Sequence, residues 1–393
     1  MTRIGIIAGE ASGDLLGAHL MSALQARFPS LEFVGIAGPR MQALGAISEY
    51  PMERLAVRGY VEVLKHYREI RAIQRGIIAA FQNNPPDLFI GIDAPDFNLG
   101  VEEILKVNGV TTIHYVSPSI WAWRRERIHR IKRAVSHMLT IFPFEEKIYR
   151  EAGIPVSYVG HTLADEIPLA IDRAAARRAL NIEADVPLFA LLPGSRISEL
   201  DFHAELFAAT ALEVTKALPS ACFVAPFATR ATQQQFEAAV TKIGAAKLRI
   251  ICLQGASQAA LAAADIALIK SGTSTLEAAL MKCPMVITYR VSAISAWLMR
   301  RKGRGYLPYI GLPNILAGEF IVPELLQEDA TPENLAQALL NWYRESGLRA
   351  DLRQRFLSIH QNLRQNSAQK IGDALTEYLV AKSENKAAVS DPN

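Results

Sequence analysis

Near its midpoint the chain reads Pro187-Leu188-Phe189-Ala190-Leu191-Leu192-Pro193-Gly194-Ser195-Arg196. Five consecutive apolar residues followed at once by proline and glycine predict a short buried strand that ends in a tight loop. A helical pattern follows at 199–217, so the segment predicts a strand–loop–helix unit of a parallel sheet. Strands and helices alternate in this way through the first half of the chain, and the alternation begins again at this segment.

The alternation of short apolar strands with helical patterns extends in both directions from this stretch. Strands are predicted at 3–9, 32–37, 87–92, 111–116, 136–141 and 156–159, and then at 187–192, 221–226, 248–252, 265–270 and 284–289. Helices are predicted at 13–27, 60–82, 98–108, 124–134 and 144–152, and then at 199–217, 231–243 and 274–282. The pattern predicts an α/β protein with two tandem doubly wound, Rossmann-like parallel-sheet domains facing a cleft, followed by C-terminal helices.

The domain boundaries follow from where this pattern stops and restarts. A chain of 393 residues is too long for a single ordinary hydrophobic core, so more than one domain is expected. We expect a first domain at 1–165, a second at 186–345, and C-terminal helices at 346–382. These helices have no sheet of their own, so they pack either on the first domain or on a second subunit, which leaves a homodimer open.

Composition narrows the class of protein. Half of the residues are apolar and 21% are charged, which is typical of a globular protein, and a net charge of +3 is too small to predict a nucleic-acid partner. Cys222, Cys252 and Cys283 have no metal-ligand spacing and are typical of a reducing cytosol. No signal peptide and no apolar run of membrane-spanning length is evident, so we expect a cytoplasmic location.

Two loops in the second half bring glycine and hydroxyl residues to the predicted start of a helix. They are Gly194-Ser195-Arg196, after the strand at 187–192, and Ser271-Gly272-Thr273-Ser274-Thr275, after the strand at 265–270. Glycine lets a backbone approach a ligand, helix N-termini present unpaired N–H groups, and arginine adds a charged fork that fits a phosphate. The first loop alone is equally an ordinary turn with a serine cap, but the pair favours a diphosphate site.

Glu277 follows the second loop and has two interpretations. It lies three residues after Ser274, the spacing of a capping box. Alternatively, its carboxylate faces the cleft and accepts both ribose hydroxyls of a nucleotide.

The first half has its own polar residues at predicted strand ends. Glu10 precedes Ser12 and Gly13 in an open loop, where it either binds an acceptor hydroxyl or balances the helix dipole. Asp93 follows the apolar strand at 88–92, where partial burial would raise its pKa and suit it to general-base catalysis. Asp96 and Asn98 are expected to cap the next helix. The spacing of these loops fits neither a dinucleotide fingerprint nor a Walker loop.

Further candidates follow the next strands. Ser117, Trp121 and Trp123 come after the strand at 111–116, and the tryptophans form either an acyl-chain wall or local core. His161 follows the last strand of the first half and is also expected at the cleft edge.

Two basic and aromatic stretches suggest a membrane surface. The first, at 60–82, is more typical of a helix that covers a sheet. The second, at 294–310, is the stronger case because it holds four cations in five residues beside an aromatic residue. Its expected lipid-facing side chains are Trp297, Arg300, Arg301, Lys302 and Arg304.

Taken together, these motifs resemble the lipid-A-disaccharide synthases, glycosyltransferases of the B-type fold. The resemblance lies in residues 8–14 (AGEASGD), 37–41 (AGPRM), 91–98 (GIDAPDFN), 114–119 (HYVSPS) with 121–123 (WAW), 192–196 (LPGSR), 271–273 (SGT), 282–286 (KCPMV) and 312–314 (LPN). The motifs keep a consistent order over nearly the whole chain. Ala11 stands where the family usually has threonine.

The resemblance implies UDP-2,3-diacylglucosamine as donor and 2,3-diacylglucosamine 1-phosphate as acceptor. The products would be a β-1,6-linked disaccharide 1-phosphate and UDP, made by an inverting enzyme without metal or cofactor. Carried onto this chain, Asp93 would be the general base, Arg196 and Glu277 would hold UDP, and Asn314 would lie in the same cleft. The enzyme would be peripheral on the cytoplasmic face of the inner membrane.

Two other functions use the same sequence features. A UDP-sugar 2-epimerase of this fold needs only the nucleotide loops and no lipid-facing surface. A non-enzymatic nucleotide-sugar-binding module does not need Asp93 at the strand end.

Overall fold

The computed structural model describes residues 2–55, 60–122, 124–292 and 308–390, apart from the side chains of 60–66 and 381–390. These residues form two compact units. The first runs from the N-terminus to Asp165 and is completed by the segment from Leu363 onward, and the second is Glu166–Asn362.

The first unit is built on a seven-stranded parallel sheet in the order β3-β2-β1-β4-β5-β6-β7. Its strands are β1 (Thr2–Ala8), β2 (Leu31–Ile36), β3 (Ile47–Ser48), β4 (Leu88–Ile92), β5 (Thr111–Tyr115), β6 (His137–Thr140) and β7 (Val156–Tyr158). β4 is buried along its whole length, as expected for a parallel strand covered on both faces. The chain proceeds outward from β1 to β3 and then returns to start β4 on the other side of β1. The switch point of this sheet therefore lies between β1 and β4.

The second unit repeats this plan with a six-stranded sheet in the order β10-β9-β8-β11-β12-β13. Its strands are β8 (Leu188–Leu192), β9 (Cys222–Phe227), β10 (Ile250–Gln254), β11 (Ile266–Lys270), β12 (Met285–Tyr289) and β13 (Glu324–Leu326). The core of this unit gathers Phe189, Phe207, Phe223 and Phe236, all fully buried. Its switch point lies between β8 and β11, which pair in parallel.

Helices cover the sheets. In the first unit they are α1 (Ala11–Gln25), α2 (Pro39–Ala43), α3 (Tyr60–Asn83), α4 (Pro95–Val107), α5 (Arg127–Ala134), α6 (Glu145–Glu151) and α7 (Thr162–Glu166). In the second they are α8 (Arg173–Ala179), α9 (Ile197–Ala217), α10 (Arg230–Lys242), α11 (Ser257–Ala263), α12 (Thr273–Leu280), α13 (Leu312–Ala317), α14 (Pro332–Arg344) and α15 (Ser346–Leu363). The last helix is α16 (Ser367–Ser390), and short 3-10 turns occur at Met52–Arg54 and Gln327–Asp329.

The predicted fold class is confirmed, and the differences lie in short elements. The edge strands β3 and β13 were not predicted because neither contains an apolar run. The stretch 162–185, for which no element was predicted, contains the short helices α7 and α8. Among the helices of the described ranges, none combines the length and apolar character needed to cross a membrane.

The C-terminal helices divide between the units. α15 clusters with the second unit up to Asn362, whereas α16 packs on α1 of the first. Arg27, two residues after the end of α1, pairs with Asp373 of α16 at 2.7 Å. At the start of α16 the Asp165 carboxylate accepts the Asn366 N–H at 2.9 Å.

The described side chains of α3 show which face of this basic and aromatic helix is covered. Ile73, Ile77, Ile78 and Phe81 are buried, while Tyr67 is 52% exposed. From residue 73 onward the apolar face therefore serves the core, as in a helix that covers a sheet.

Candidate active site

Glu10 and Asp93 lie at the switch point of the first sheet. Glu10 comes two residues after the end of β1, Asp93 directly follows β4, and the two strands are neighbours in which Ala8 pairs with Ile92. The loops approach closely, because a Cβ added to Gly9 would lie 2.8 Å from the Cβ of Ala94. The backbone carbonyl of Glu10 accepts the N–H of Asp14 at 2.9 Å, and its carboxylate does not cap α1. The sheet thus brings the two candidate catalytic carboxylates to one edge.

The turn that carries Asp93 has an unusual backbone. Asp93 and Ala94 adopt positive φ values of 49° and 43°, a left-handed conformation that costs a non-glycine residue about 1–3 kcal/mol. The Asp93 N–H donates to the carbonyl of Tyr115 at 2.8 Å, and the Asp93 side chain is half-buried. Strain of this kind persists where the surroundings hold it, and it concentrates at functional sites.

The expectation that Asp96 and Asn98 cap α4 is wrong. The N-cap position is Ala94, and no side chain caps the helix. Asp96 lies in the first turn with a side chain 80% exposed and pairs with Arg127 at 2.5 Å. Asn98 is fully buried and donates to backbone carbonyls instead. The strained turn after β4 shifts the helix start and displaces both residues from the cap position.

Asp14 connects two of the sequence motifs, residues 8–14 (AGEASGD) and residues 37–41 (AGPRM). It is buried, and its carboxylate accepts the N–H of Arg40 and the N–H of Met41, both at 3.0 Å. Asp14 therefore caps α2, and a Cβ at Gly38 would collide with this carboxylate. Ser12, in the first turn of α1, is exposed.

Ser117 and Trp121 meet at a buried carboxylate that the sequence analysis did not identify. The indole of Trp121 donates to Glu145 at 2.9 Å, and the Ser117 hydroxyl lies 2.7 Å from the hydroxyl of Tyr149. Glu145 also accepts the Phe142 N–H at 3.1 Å. Trp121 is half-buried and packs edge-on against Phe144 with ring centroids 5.3 Å apart.

His161 lies beside this cluster, with its ring 6.1 Å from that of Phe142. Burial lowers the pKa of His161 to about 4, against the opposing effect of Asp165, so the imidazole is neutral near pH 7. Its Nδ1 accepts the Leu163 N–H at 3.2 Å, which leaves the proton on Nε2. Ser117, Trp121 and His161, predicted separately, thus lie around one aromatic cluster with Glu145.

We expect Glu145 to make stability depend on pH. Burial raises the pKa of this carboxyl from 4.5 to about 7, against hydrogen bonds from Phe142, Trp121 and Ser117. Between these values the folded state keeps a proton that the unfolded state has released, so stability falls as pH rises. Relative to Glu145→Gln, the free energy of unfolding of the wild-type chain should fall by on the order of 2–3 kcal/mol between pH 4.5 and 7.5. Urea unfolding of both proteins at the two pH values measures this, and parallel pH profiles would contradict it.

In the second unit, Gly194, Ser195 and Arg196 follow β8 at the switch point. Gly194 has a φ of 137°, and a Cβ there would lie 2.7 Å from the Cβ of Glu199, so the position requires glycine. Glu199 accepts the Ser195 N–H at 2.9 Å and pairs with Arg196 at 3.2 Å. It also pairs with Lys270 at 2.8 Å. A carboxylate therefore binds a backbone N–H and the arginine of this loop together with Lys270 at the end of β11.

Lys270 and Glu199 were not singled out from the sequence. Lys270 is the last residue of β11 and immediately precedes the Ser271-Gly272-Thr273 loop, so its position after an apolar strand was an available signal. Burial alone raises the pKa of Glu199, but Lys270, the Ser195 N–H and Arg196 outweigh it and lower that pKa to about 2. Glu199 is consequently charged at all ordinary pH values.

The second predicted loop begins α12 differently from the expectation. The N-cap is Gly272, and no side chain caps the helix, so the capping box between Ser274 and Glu277 is not formed. Glu277 instead accepts the Ser257 hydroxyl at 3.0 Å, and burial raises its pKa against hydrogen bonds from Ser257 and Gln258. Thr273 is exposed at the start of the helix, and Ser271 and Ser274 are half-buried.

Asn314 is fully buried and its amide is occupied within its own segment. Nδ2 donates to the Val322 carbonyl at 2.9 Å and to Glu324 at 2.8 Å. Oδ1 accepts the N–H groups of Ile321 and Val322 at 2.8 and 2.9 Å. These bonds fix the connection from α13 to β13.

The remaining predicted residues lie outside the described part of the chain, namely Trp123, Trp297, Arg300, Arg301, Lys302 and Arg304.

Comparison with known proteins gives the family. A family model described as lipid-A-disaccharide synthetase matches residues 4–375. The lipid-A-disaccharide synthase of Dechloromonas aromatica is 52% identical over 378 residues, covering 96% of this chain and 98% of that protein. The chain belongs to the lipid-A-disaccharide synthetase family. The synthase of Thiobacillus denitrificans is 54% identical over 376 residues, covering 96% of this chain and 100% of its own. The chain is accordingly an enzyme of lipid A biosynthesis, as the motifs predicted.

Solved structures show the fold of this lipid-A-disaccharide synthetase family member. The Neisseria meningitidis UDP-GlcNAc 2-epimerase bound to UDP-GlcNAc matches with a TM-score of 0.60 at 11% identity, over 98% of this chain and 100% of that one. Acinetobacter baumannii MurG matches with a TM-score of 0.55 at 15% identity, over 96% and 100%. At such identities the likeness establishes the glycosyltransferase B-type fold alone, whereas the relatives at about half identity decide between synthase and epimerase.

Proposed function

We propose that the enzyme transfers 2,3-diacylglucosamine from its UDP derivative to 2,3-diacylglucosamine 1-phosphate with inversion. The observation that carries this proposal is that the chemistry-bearing residues follow the two central strands of each sheet. Glu10 and Asp93 follow β1 and β4, while Arg196 and the Ser271–Thr273 loop follow β8 and β11. Ligands of doubly wound sheets bind at such switch points.

Asp93 is the proposed general base. It takes the proton of the acceptor 6-hydroxyl as that oxygen attacks C1 of the donor sugar from the face opposite UDP. The bond from C1 to the β-phosphate oxygen breaks, and its electron pair leaves with UDP, which gives the β-1,6 linkage. Glu10, in the adjoining loop, orients the acceptor by a hydrogen bond to a sugar hydroxyl. Ser12, Ser117, Trp121 and His161 are proposed to line the acceptor side.

UDP is held by the loops of the second unit. The Glu199 carboxylate binds the Ser195 N–H, Arg196 and Lys270, and a phosphate oxygen has the same preference for N–H donors and cations. We assign diphosphate binding to these groups and to Gly194, Ser271, Gly272, Thr273 and Ser274. Glu277 is proposed to bind the ribose hydroxyls, and Asn314 to shape the wall of the nucleotide site.

A UDP-release assay with matched sugars tests the function. With diacylated donor and diacylated acceptor phosphate, UDP should form together with disaccharide, whereas unacylated sugars should give little of either. UDP release without disaccharide, or interconversion of UDP-sugar epimers, would favour the epimerase. Binding of UDP-sugar without any release would favour a binding module.

Activity should survive EDTA. Arg196 and Lys270, together with the N–H groups at the start of α9, supply positive potential where negative charge develops on the leaving diphosphate. Initial rates after EDTA treatment should stay within about twofold of the untreated enzyme, since these donors are part of the chain. A rate that collapses with EDTA and returns with Mg²⁺ would show that a divalent ion carries that charge.

We also propose that the enzyme associates with the inner-membrane surface through 294–304. Each cation near an anionic membrane contributes about 1 kcal/mol. Replacing Arg300, Arg301, Lys302 and Arg304 by glutamine should therefore release the protein from anionic vesicles. Co-sedimentation with vesicles of anionic and neutral lipid measures this, and undiminished binding of the variant to anionic vesicles would rule the segment out.

A further inference from the structure

Asn98 lies beneath the switch point of the first sheet. It is the fourth residue of α4 and is fully buried. Its Nδ2 is 2.8 Å from the carbonyl oxygen of Asp93, 3.2 Å from that of Ile92 and 3.4 Å from that of Ile7. One amide group thus reaches the ends of both central strands, and its shortest hydrogen bond goes to Asp93 itself.

This hydrogen bond bears on the strained turn. Asp93 and Ala94 both have positive φ, so without external contacts the turn would favour other conformations. A buried carbonyl left without a donor is also unfavourable. By donating to the Asp93 carbonyl, Asn98 stabilises the conformation that the backbone itself disfavours.

The packing below Asn98 limits its movement. A Cβ added to Gly91 would lie 3.0 Å from the Cβ of Asn98 and would collide with Glu102. Glu102, one helical turn after Asn98, is fully buried and lies 2.7 Å from Nδ1 of the fully buried His114. Glycine in β4 and the Glu102–His114 pair therefore allow α4 to lie against the sheet at this point and keep Asn98 in place.

We propose that Asn98 is a positioning residue for the transfer reaction, holding the Asp93–Ala94 turn so that the Asp93 carboxylate is presented in its reactive geometry. The proposal rests on the proposed function of Asp93 as the base. Asn98 acts through the backbone of Asp93 and has no contact of its own with the reacting atoms.

The first test replaces the amide and then relieves the strain. Asn98→Ala should lower kcat by about 10–100-fold with little change in UDP-sugar affinity, because misplacement of a catalytic group acts on the chemical step. Adding Ala94→Gly should restore kcat by roughly fivefold or more, since glycine adopts the left-handed conformation without the Cβ penalty. A loss of packing alone would not respond to this second substitution.

Gln74→Ala is the matched control. Gln74 is also a buried amide, and its Nε2 donates to the carbonyl of Phe97 at 2.7 Å, one residue from Asn98 but away from the turn. Both alanine variants should lower the thermal midpoint, but only Asn98→Ala should lower kcat. Near-normal kcat in folded Asn98→Ala, an equal loss in Gln74→Ala, or no gain from Ala94→Gly would each overturn the inference.

Asn98→Asp gives a second readout that does not depend on the alanine variant folding. An ionised carboxylate has no proton to donate, whereas a protonated one donates a single hydrogen bond. The ratio of variant to wild-type kcat should therefore rise as pH falls, and a ratio independent of pH would count against the inference.

Asp93→Ala separates the two proposals. If Asp93→Ala remains active, the proposed function fails, and if it is inactive while Asn98→Ala is fully active, the inference alone fails.

Discussion

Replacing Asp93 by alanine should abolish transfer, lowering kcat by about 10²–10⁴-fold, while the protein still binds the UDP-sugar. Asp93 directly follows the fully buried strand β4 and lies in the first unit, whereas the proposed UDP loops belong to the second. A general base acts on the acceptor hydroxyl, so its removal affects the chemical step more than donor affinity. Single-turnover rates and UDP-sugar binding, measured on the same preparation, separate these two quantities.

Asp96→Ala is the control three residues away. Its carboxylate is 80% exposed and pairs with Arg127, an arrangement whose loss costs about 0.2–1 kcal/mol of stability. Turnover should therefore be almost unchanged. If Asp96→Ala were inactive in a folded protein while Asp93→Ala remained active, the two roles would be exchanged.

The residues of the candidate site are far apart in the sequence, and the strand order of each sheet brings them together. Three helix–strand repeats separate Glu10 from Asp93 along the chain, and three also separate Arg196 from Lys270. They come together in pairs because each sheet reverses its strand order between its two central strands. Both pairs follow that rule, because the loops at the carboxyl ends of the strands on either side of a switch point face the same edge of the sheet.

What the sequence could predict was set by local patterns. Apolar runs such as 188–192 identify buried strands whatever their partners, so the two sheets and their central strands were predicted well. The edge strands β3 and β13 depend on pairing with neighbours rather than on their own residues, and they were missed. The cap expected at Asp96 failed because the left-handed turn at Asp93 and Ala94 moves the helix start, and no residue type signals such a turn here.

Contacts between distant residues were the second limit. Glu145 reaches Trp121 from the next strand–helix repeat, and Glu199 joins Lys270 across the paired strands β8 and β11. By sequence alone, Glu145 and Glu199 are typical of surface residues. Their significance arises from burial and charge pairing, which exist only once the sheets have formed.

Replacing Arg196 by alanine should lower kcat/KM by about 10–150-fold with the fold intact, the loss expected when one charge-assisted hydrogen bond of about 1.5–3 kcal/mol is removed. Arg196 is the N-cap residue of α9 at the switch point and is paired with Glu199 at 3.2 Å. Its side chain is 38% exposed, so its removal leaves no buried cavity. Steady-state kinetics with varied UDP-sugar give the effect, and circular dichroism checks the fold.

The control and the conservative variant decide what kind of interaction is lost. Arg230 also begins a helix after a parallel strand, but that strand is β9, away from the switch point, so Arg230→Ala should leave kcat/KM unchanged. Arg196→Lys keeps the charge without the planar fork and should fall between alanine and wild type. If Arg196 binds the diphosphate equally in substrate and transition state, KM should rise at constant kcat, whereas stabilisation of the departing charge should lower kcat itself. Normal UDP affinity together with normal turnover in Arg196→Ala would remove this residue from the site and leave Lys270 as the cation to test next.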